Sequence, residues 1–128
     1  PVGAVSVSDD GNDTSLLIKA EYGGASCLYT GDMTQFAEKY AVADGADVDA
    51  DILKVPHHGS KSSSSEEFVS AVSPYYSVIS CGENNSYGHP SEETLERLAG
   101  TTVLRTDING TVTFTVGKDG IKKVAVFK

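Results

Sequence analysis

The sequence contains no tryptophan, one methionine, two cysteines and three histidines among its 128 residues. It has no apolar run near the roughly 18 residues that a membrane-spanning helix needs, so we expect no membrane contact from this segment itself. Positive charge is also scarce: the sequence has 10 Lys and Arg but 18 Asp and Glu, which gives a formal net charge of -8. This acidic balance excludes unaided electrostatic binding to a phosphate backbone, and any nucleic-acid role therefore needs bound cations.

The two cysteines, Cys27 and Cys81, each lie in an apolar, strand-like run. A free thiol in such a run behaves as a small hydrophobic group, so we expect two buried thiols, with a disulfide or a ligand pair as the lesser alternatives. The cysteines therefore do not indicate whether the protein works in a reducing or an oxidising compartment. The chain starts at Pro1 without an initiator Met, a signal peptide or a transit peptide, and we expect it to be a fragment of a longer protein.

Apolar periodicity predicts one mixed α/β domain. Gly23-Gly24 is typical of a hairpin turn, and Asn109-Gly110 and Asp119-Gly120 are predicted as type I′ hairpin turns. Ser64 or Ser65 is predicted to cap one helix, and Ser91 another. The predicted strands cover residues 2–7, 15–22, 25–30, 51–56, 76–81, 102–105, 111–116 and 121–127, and the predicted helices cover residues 34–43, 66–72 and 92–99.

Chemistry-bearing side chains follow three of these predicted strands. Asp32 follows the strand ASCLYT, His57 and His58 follow DILKVP, and His89 lies in the loop after YSVISC. The C-terminal ends of strands are where α/β proteins gather their ligand-binding groups, so these residues are predicted to meet at one sheet edge.

Plainer explanations exist for each of these residues taken alone. An Asp at a strand-to-helix turn is more often a helix N-cap than a metal ligand. A single His in a loop such as YGHP is usually a surface or packing residue. The adjacent pair His57-His58 carries more information, because neighbouring side chains on an extended segment point to opposite sides and could serve a metal and a substrate. A His–Asp–His set suits a two-metal hydrolase but supplies too few ligands for two ions.

Four segments carry a resemblance to a known family. They are NDTSLLI at residues 12–18, LYTGD at 28–32, LKVPHHGS at 53–60 and NNSYGHPSEE at 84–93. In this order they resemble the C-terminal half of the metallo-β-lactamase-like domain of ComEC, the family of DNA-internalisation competence proteins. The resemblance implies an α/β (α+β) fold, a metallo-β-lactamase-like αββα sandwich of which residues 1–128 are about the C-terminal half. The N-terminal half, with its H-x-[HD]-x-D-H motif, is absent from this sequence.

The resemblance also implies roles for individual residues. Asp32 matches the carboxylate that bridges two metal ions, and His57 best matches the last histidine ligand. His58 is then the expected catalytic or substrate-facing neighbour, although the choice between His57 and His58 stays open, and His89 is the expected proton donor or phosphate contact. Asn12 falls where many relatives place another histidine ligand, and we group it with the substrate contacts. The expected phosphate donors of the serine-rich loop are Ser60, Lys61 and Ser62, although such a loop is also typical of a flexible, capped connection.

The resemblance therefore predicts a metal-dependent hydrolase with two divalent ions, zinc or manganese, acting as a phosphodiesterase or nuclease on DNA during competence-linked uptake. The fragment alone is expected to be inactive. Alternatives are hydrolysis of a small ester, lactam or thioester, and a non-catalytic scaffold with an incomplete metal site. Expected partners are the missing N-terminal half or a second copy bound through an exposed apolar face. The expected location is bacterial, either extracytoplasmic, membrane-attached through the rest of the protein, or secreted.

Overall fold

The computed structural model describes residues 10–128, so the strand predicted at residues 2–7 lies outside the described part. A five-stranded sheet has the order β1-β2-β3-β4-β5, and β6 and β7 form a separate hairpin. The strands are β1 (Ile18–Tyr22), β2 (Ala25–Tyr29), β3 (Ile52–Lys54), β4 (Tyr76–Ile79), β5 (Thr102–Arg105), β6 (Thr111–Gly117) and β7 (Gly120–Phe127). The α-helices are α1 (Gln35–Ala43), α2 (Glu66–Val72), α3 (Glu92–Arg97) and α4 (Thr106–Asn109), and 3-10 turns span Gly11–Thr14 and Pro56–Gly59. The mixed α/β prediction is confirmed.

The large sheet is built from parallel crossover units. β1 pairs antiparallel with β2, whereas β2, β3, β4 and β5 run parallel in sequence order. Each parallel step passes through one helix, α1, α2 or α3 in turn, as parallel pairing requires. All four parallel strands therefore end at the same edge of the sheet, and the loops that follow them share that edge.

One face of the sheet forms the hydrophobic core. Leu28, Leu53 and Ile79 project from β2, β3 and β4 and have no exposed surface. Helix α2 contributes Phe68 and Val72, which are equally buried in the same cluster. Truncating one such Leu or Phe to Ala costs about 2–5 kcal/mol in well-packed cores, so this layer fixes the sheet that carries the loops.

The opposite face is covered in part by the β6-β7 hairpin. The rings of Tyr76 and Phe114 make an edge contact with centroids 5.2 Å apart. A Cβ on Gly23 would lie 2.2 Å from the carbonyl oxygen of Gly117, so only glycine allows this close approach of the two turns. Beyond the hairpin, Ile18, Tyr22 and Tyr29 are 53%, 66% and 49% exposed. We call these three residues the β1-β2 apolar patch.

The predicted helix caps are confirmed at Ser65 and Ser91, whose hydroxyls accept hydrogen bonds from Phe68 N–H and Thr94 N–H. Helix α1 is capped by Thr34, so Asp32 is not its N-cap. The Asp32 carboxylate therefore does not cap a helix, which was the plainer explanation for its position.

Two turn predictions need correction. Asn109-Gly110 does not close a hairpin, because β5 pairs with β4 and not with β6. Asn109 is instead the last residue of α4, and Gly110 N–H caps that helix by donating to the Thr106 carbonyl. The β6-β7 hairpin at Asp119-Gly120 is confirmed, but the turn is not type I′, since its loop residues Lys118 and Asp119 lack positive φ. Gly23-Gly24, with φ of 54° and 77°, is the predicted hairpin turn.

Both cysteines are free, as predicted, but they are only partly buried and not fully buried as the sequence suggested. Burial raises the pKa of the Cys27 thiol and of the Cys81 thiol above the usual range. Within residues 10–128, no helix combines the length and apolar character that crossing a bilayer would take.

Candidate functional site

The predicted site residues lie where the sheet's parallel strands end. Asp32 follows β2, His57 and His58 follow β3, and His89 lies in the loop between β4 and α3. His57 N–H donates to the carbonyl of Gly31 at 3.1 Å, and Ser91 N–H donates to the carbonyl of Gly59 at 2.9 Å. These bonds hold the three loops side by side.

The histidine turn at residues 57–59 has an uncommon backbone. His57, His58 and Gly59 all lie in the left-handed region, with φ of 49°, 55° and 82°. The extended conformation that the sequence predicted for this pair is therefore wrong. Left-handed backbone costs a non-glycine residue on the order of 1–3 kcal/mol, and such strain persists where the surrounding structure holds it. A Cβ on Gly59 would lie 2.6 Å from Cβ of Pro90, so the turn packs directly on the neighbouring loop.

His58 is oriented by the main chain and faces Asp32. Its Nδ1 lies 2.7 Å from the carbonyl oxygen of Ser80, and a carbonyl only accepts, so Nδ1 carries the hydrogen. In the neutral ring, Nε2 then presents its lone pair. That Nε2 lies 3.4 Å from Oδ1 of Asp32, with both side chains nearly half exposed. Two acceptors face each other unless the imidazole is protonated or a cation lies between them.

The turn before Asp32 is held by the N-terminal part of the chain. Gly31 has φ of 57°, and a Cβ there would lie 2.9 Å from Cβ of Ser15. The Asp32 N–H donates to the Ser15 hydroxyl at 3.1 Å. The carboxylate also acts on Lys54, whose ammonium donates to the Val55 carbonyl at 2.9 Å. Burial lowers the pKa of Lys54, and the nearby Asp32 charge partly opposes that shift.

His57 and His89 form the other side of the site. Their ring centroids are 5.9 Å apart in an edge-to-face arrangement. Nδ1 of His57 is buried and has no hydrogen-bond partner among residues 10–128, an arrangement that most buried polar atoms avoid. Burial, followed by the neighbouring His57 and His58, lowers the pKa of His89 below its usual value.

The serine-rich loop is packed and hydrogen-bonded, so it differs from the flexible connection that the sequence left open. The Ser63 hydroxyl donates to the Met33 carbonyl at 2.8 Å, and Glu38 accepts from Ser64 N–H and Ser65 N–H. Ser60 is 7% exposed, and its hydroxyl lies 3.0 Å from that of Ser62. Lys61 is exposed. Of the predicted phosphate donors, Lys61 and Ser62 are therefore exposed, whereas Ser60 is buried.

Asn12 lies in the 3-10 turn Gly11–Thr14, where its N–H donates to the side chain of Asp10 at 2.9 Å. The neighbouring Asp13 accepts a hydrogen bond from the hydroxyl of Thr34, which caps α1. This hydrogen bond therefore links the turn to Thr34, which lies two residues after Asp32 in the sequence.

Sequence reasoning missed two features of the site. The Ser80 carbonyl orients His58, and a main-chain group leaves no signal in a sequence. Tyr87 stacks on His89, with ring centroids 5.8 Å apart and planes 21° apart. Its place two residues before His89 in YGHP was the available signal.

The Asp32–His58 pair fits two ligands of one metal ion. Donor atoms that share a tetrahedral zinc at about 2.0–2.1 Å lie about 3.3 Å apart, close to the 3.4 Å observed. An N–H···O hydrogen bond would be about 2.7–3.2 Å. No group of three or more metal-binding side chains occurs within residues 10–128, so further ligands would have to come from elsewhere.

Most of this chain is similar to parts of longer bacterial proteins, two of which have competence-related names. No family model matches. The chain is 42% identical over 105 residues to ComE operon protein 3 of Bacillus subtilis, covering 80% of this chain and 14% of the relative. It is 39% identical over 124 residues to competence protein ComA of Neisseria gonorrhoeae, covering 93% and 18%. Recombination protein 2 of Haemophilus influenzae is 37% identical over 87 residues, covering 68% and 11%.

The chain thus spans less than a fifth of the length of these relatives. Their matched regions nevertheless cover most of it, and two of the three carry competence or the com operon in their names. These homologues support a ComEC-like competence protein.

Proposed function

We propose that this chain carries part of the active site of a metal-dependent phosphodiesterase that cleaves DNA during competence-linked uptake. The observation that carries the proposal is the placement of His58 Nε2 3.4 Å from Asp32 Oδ1, with Nδ1 of the same ring held by a carbonyl. A metal-ligating histidine typically donates its other ring N–H in this way. The names of the relatives supply the link to competence.

The proposed whole domain is a metallo-β-lactamase-like sandwich. The helices α1, α2 and α3 connect parallel strands, and the core lies on one face of their sheet. The other face keeps the β1-β2 apolar patch open to solvent. Exposed patches of this kind mark interaction sites, so we propose that either the N-terminal half of the domain or a second copy of the chain covers it.

Asp32 and one of the two adjacent histidines are the proposed ligands. His58 is the better candidate, since its Nε2 faces the carboxylate, whereas His57 packs against His89. Divalent ions held there would lower the pKa of a bound water and polarise a phosphoryl oxygen. They also supply positive charge that offsets the net charge of -8 where the substrate would lie.

The remaining residues are proposed to hold the phosphate. His89 lies beside His57 at the rim and is proposed as a phosphate contact or a proton donor to the leaving alkoxide. Lys61 is proposed to contact the strand from the serine-rich loop, with Ser62 beside it. Ser60 then supports Ser62 through the bond between their hydroxyls. Asn12 stays a proposed substrate contact at the edge of the site.

The experiment compares three variants of the full-length protein in cleavage of a single-stranded oligonucleotide with Mn²⁺ or Zn²⁺. Asp32→Asn and His58→Ala are expected to lower the rate at least 100-fold because each removes a ligand. Asp119→Asn is the matched control, since Asp119 is exposed at the β6-β7 turn and bonds only Lys122 among the described contacts. Cleavage by Asp32→Asn within twofold of the unmodified protein would refute the proposal.

A further inference from the structure

Tyr87 is an aromatic side chain in an unusual position. It lies in the loop between β4 and α3, and at 81% exposure it is the most exposed large apolar or aromatic side chain within residues 10–128. One face of its ring stacks on His89 at a centroid distance of 5.8 Å. A single exposed ring is common on protein surfaces, but this one stacks on a residue of the candidate site.

The loop holds this pair in a fixed position. Asn85 Oδ1 accepts from His89 N–H at 3.0 Å, and Asn85 Nδ2 donates to the His89 carbonyl at 2.6 Å. The same amide also donates to the Gly82 carbonyl at 3.0 Å. Two residues beyond His89, Ser91 N–H bonds Gly59 at the end of the histidine turn. These bonds hold the main chain of His89 beside the histidine turn, and Tyr87 stacks on the His89 ring. We call Tyr87 and His89 the stacking pair.

A cavity lies between the stacking pair and His58, one of the candidate metal ligands. Its volume is about 220 Å³, and its lining residues are His58, Cys81, Gly82, Asn85, Tyr87 and His89. Pockets for drug-sized ligands measure about 300–1,000 Å³, so this one suits a single planar ring system. Because His58 belongs both to the cavity and to the pair with Asp32, a ring in the cavity lies next to the proposed phosphate position.

We propose that the stacking pair and this cavity bind one nucleobase of a single-stranded DNA, next to the phosphate at the Asp32–His58 pair. Aromatic side chains bind unpaired bases by stacking, worth about 1–3 kcal/mol per base and tolerant of sequence. A base inside a duplex keeps its faces covered by neighbouring bases, so the cavity favours a single strand. The assignment of the adjacent phosphate rests on the proposed function, whereas base binding stands on the stacking pair and the cavity.

The experiment measures binding to the full-length protein by fluorescence anisotropy in a buffer with Ca²⁺, because the acidic chain needs bound cations to bind DNA, and gel electrophoresis checks that the strand stays uncut. The probes are a labelled 12-nucleotide single strand, the same strand with every base replaced by an abasic residue, and the duplex of the ordinary strand with its complement. Tyr87→Leu is expected to weaken binding of the ordinary strand about tenfold, whereas Tyr87→Phe, which keeps the ring, binds within twofold of the unmodified protein. All three proteins are expected to bind the abasic strand equally. Because Tyr87 is exposed, circular dichroism is expected to show unchanged folding.

Three results would overturn the inference. They are unchanged binding of the ordinary strand by Tyr87→Leu, equal affinity of the unmodified protein for the ordinary and abasic strands, and an equal loss of duplex binding in Tyr87→Leu. The inference would also be overturned if the unmodified protein bound neither strand. Cleavage of methyl p-nitrophenyl phosphate with Mn²⁺ tests the proposed function separately. If that cleavage is absent while the Tyr87 effect persists, the hydrolase proposal fails and the base site stands.

Discussion

Nε2 of His58 lies 3.4 Å from Oδ1 of Asp32, although the two residues come from different strand ends, 26 positions apart. The β2-β3 pairing aligns Tyr29 with Lys54, so the loops after these strands start side by side. The 57–59 turn and the Ser80 carbonyl then aim the imidazole at the carboxylate. The local geometry of the site is therefore a consequence of strand order together with one strained turn.

The first prediction concerns the packing of that turn. Gly59→Ala would place a Cβ 2.6 Å from Cβ of Pro90 at a residue with φ of 82°. We expect it to destabilise the chain by more than about 2 kcal/mol, since the strain of left-handed backbone adds to a steric clash. Urea unfolding of the chain, followed by circular dichroism, measures this loss.

Gly45→Ala is the matched control for Gly59→Ala. Gly45 has φ of 73°, but a Cβ there meets nothing within 4 Å. This variant therefore measures only the loss of folding free energy from placing alanine at positive φ, about 1 kcal/mol. Equal losses in the two variants would show that packing of the histidine turn on Pro90 contributes nothing.

The second prediction concerns the pH dependence of stability at Glu38. This side chain is fully buried and accepts hydrogen bonds from Ser64 N–H and Ser65 N–H at the start of α2. Burial raises the pKa of Glu38 above its usual 4.5, and the hydrogen bonds oppose that shift. The folded chain thus binds the proton more tightly than the unfolded chain. The contribution of Glu38 to stability is therefore greatest below pH 4.5 and declines as pH rises through the folded-state pKa.

Glu38→Gln removes this titration and leaves one carbonyl oxygen for two N–H donors. We expect the free energy of unfolding at pH 7 to fall by about 1–3 kcal/mol, and the decline with pH from 4.5 upward to become shallower than in the unmodified chain. Glu83→Gln, at an exposed position, is the control. Denaturant unfolding at several pH values provides the measurement, and an unchanged pH slope in Glu38→Gln would contradict the assignment.

The third prediction concerns the β1-β2 apolar patch, defined above as Ile18, Tyr22 and Tyr29. We expect the chain by itself to self-associate through this surface, because it leaves three large side chains about half exposed or more on one sheet face. The double variant Ile18→Lys and Tyr22→Ser is expected to shift the population towards monomer in light scattering. Tyr75→Ser is the control, since Tyr75 is 72% exposed between α2 and β4. A monomeric unmodified chain, or association unaffected by the double variant, would count against this surface.

Element positions could be predicted from the sequence where local signals were strong. Helix α2 was predicted over its observed range of residues 66–72, since Ser65 supplies a cap and Phe68 and Val72 an apolar face. The prediction at Asn109-Gly110 failed because of tertiary contacts: a Cβ at Gly110 would lie 2.1 Å from the carbonyl of Phe127, so the glycine serves packing and not a hairpin.

The residues of the site could be predicted from the sequence, but the placement of their side chains could not. The predicted ends of β2, β3 and β4 indicated which loops lie side by side, because parallel strands end at the same edge of a sheet. Which histidine faces Asp32 depends on three successive left-handed residues, and these depend on the contact between Gly59 and Pro90. The orientation of His58 further depends on a carbonyl 22 residues away. Neither long-range contact has a signature in the local sequence.

The most direct test of the central claim is the divalent-metal content of the purified full-length protein, measured by mass spectrometry after reconstitution with Zn²⁺ or Mn²⁺. The account predicts that Asp32→Asn and His58→Ala each lose at least half of the bound metal, that His57→Ala loses less than His58→Ala, and that Asp119→Asn retains all of it. Full metal content in both Asp32→Asn and His58→Ala would contradict the claim that these two side chains share a metal ion.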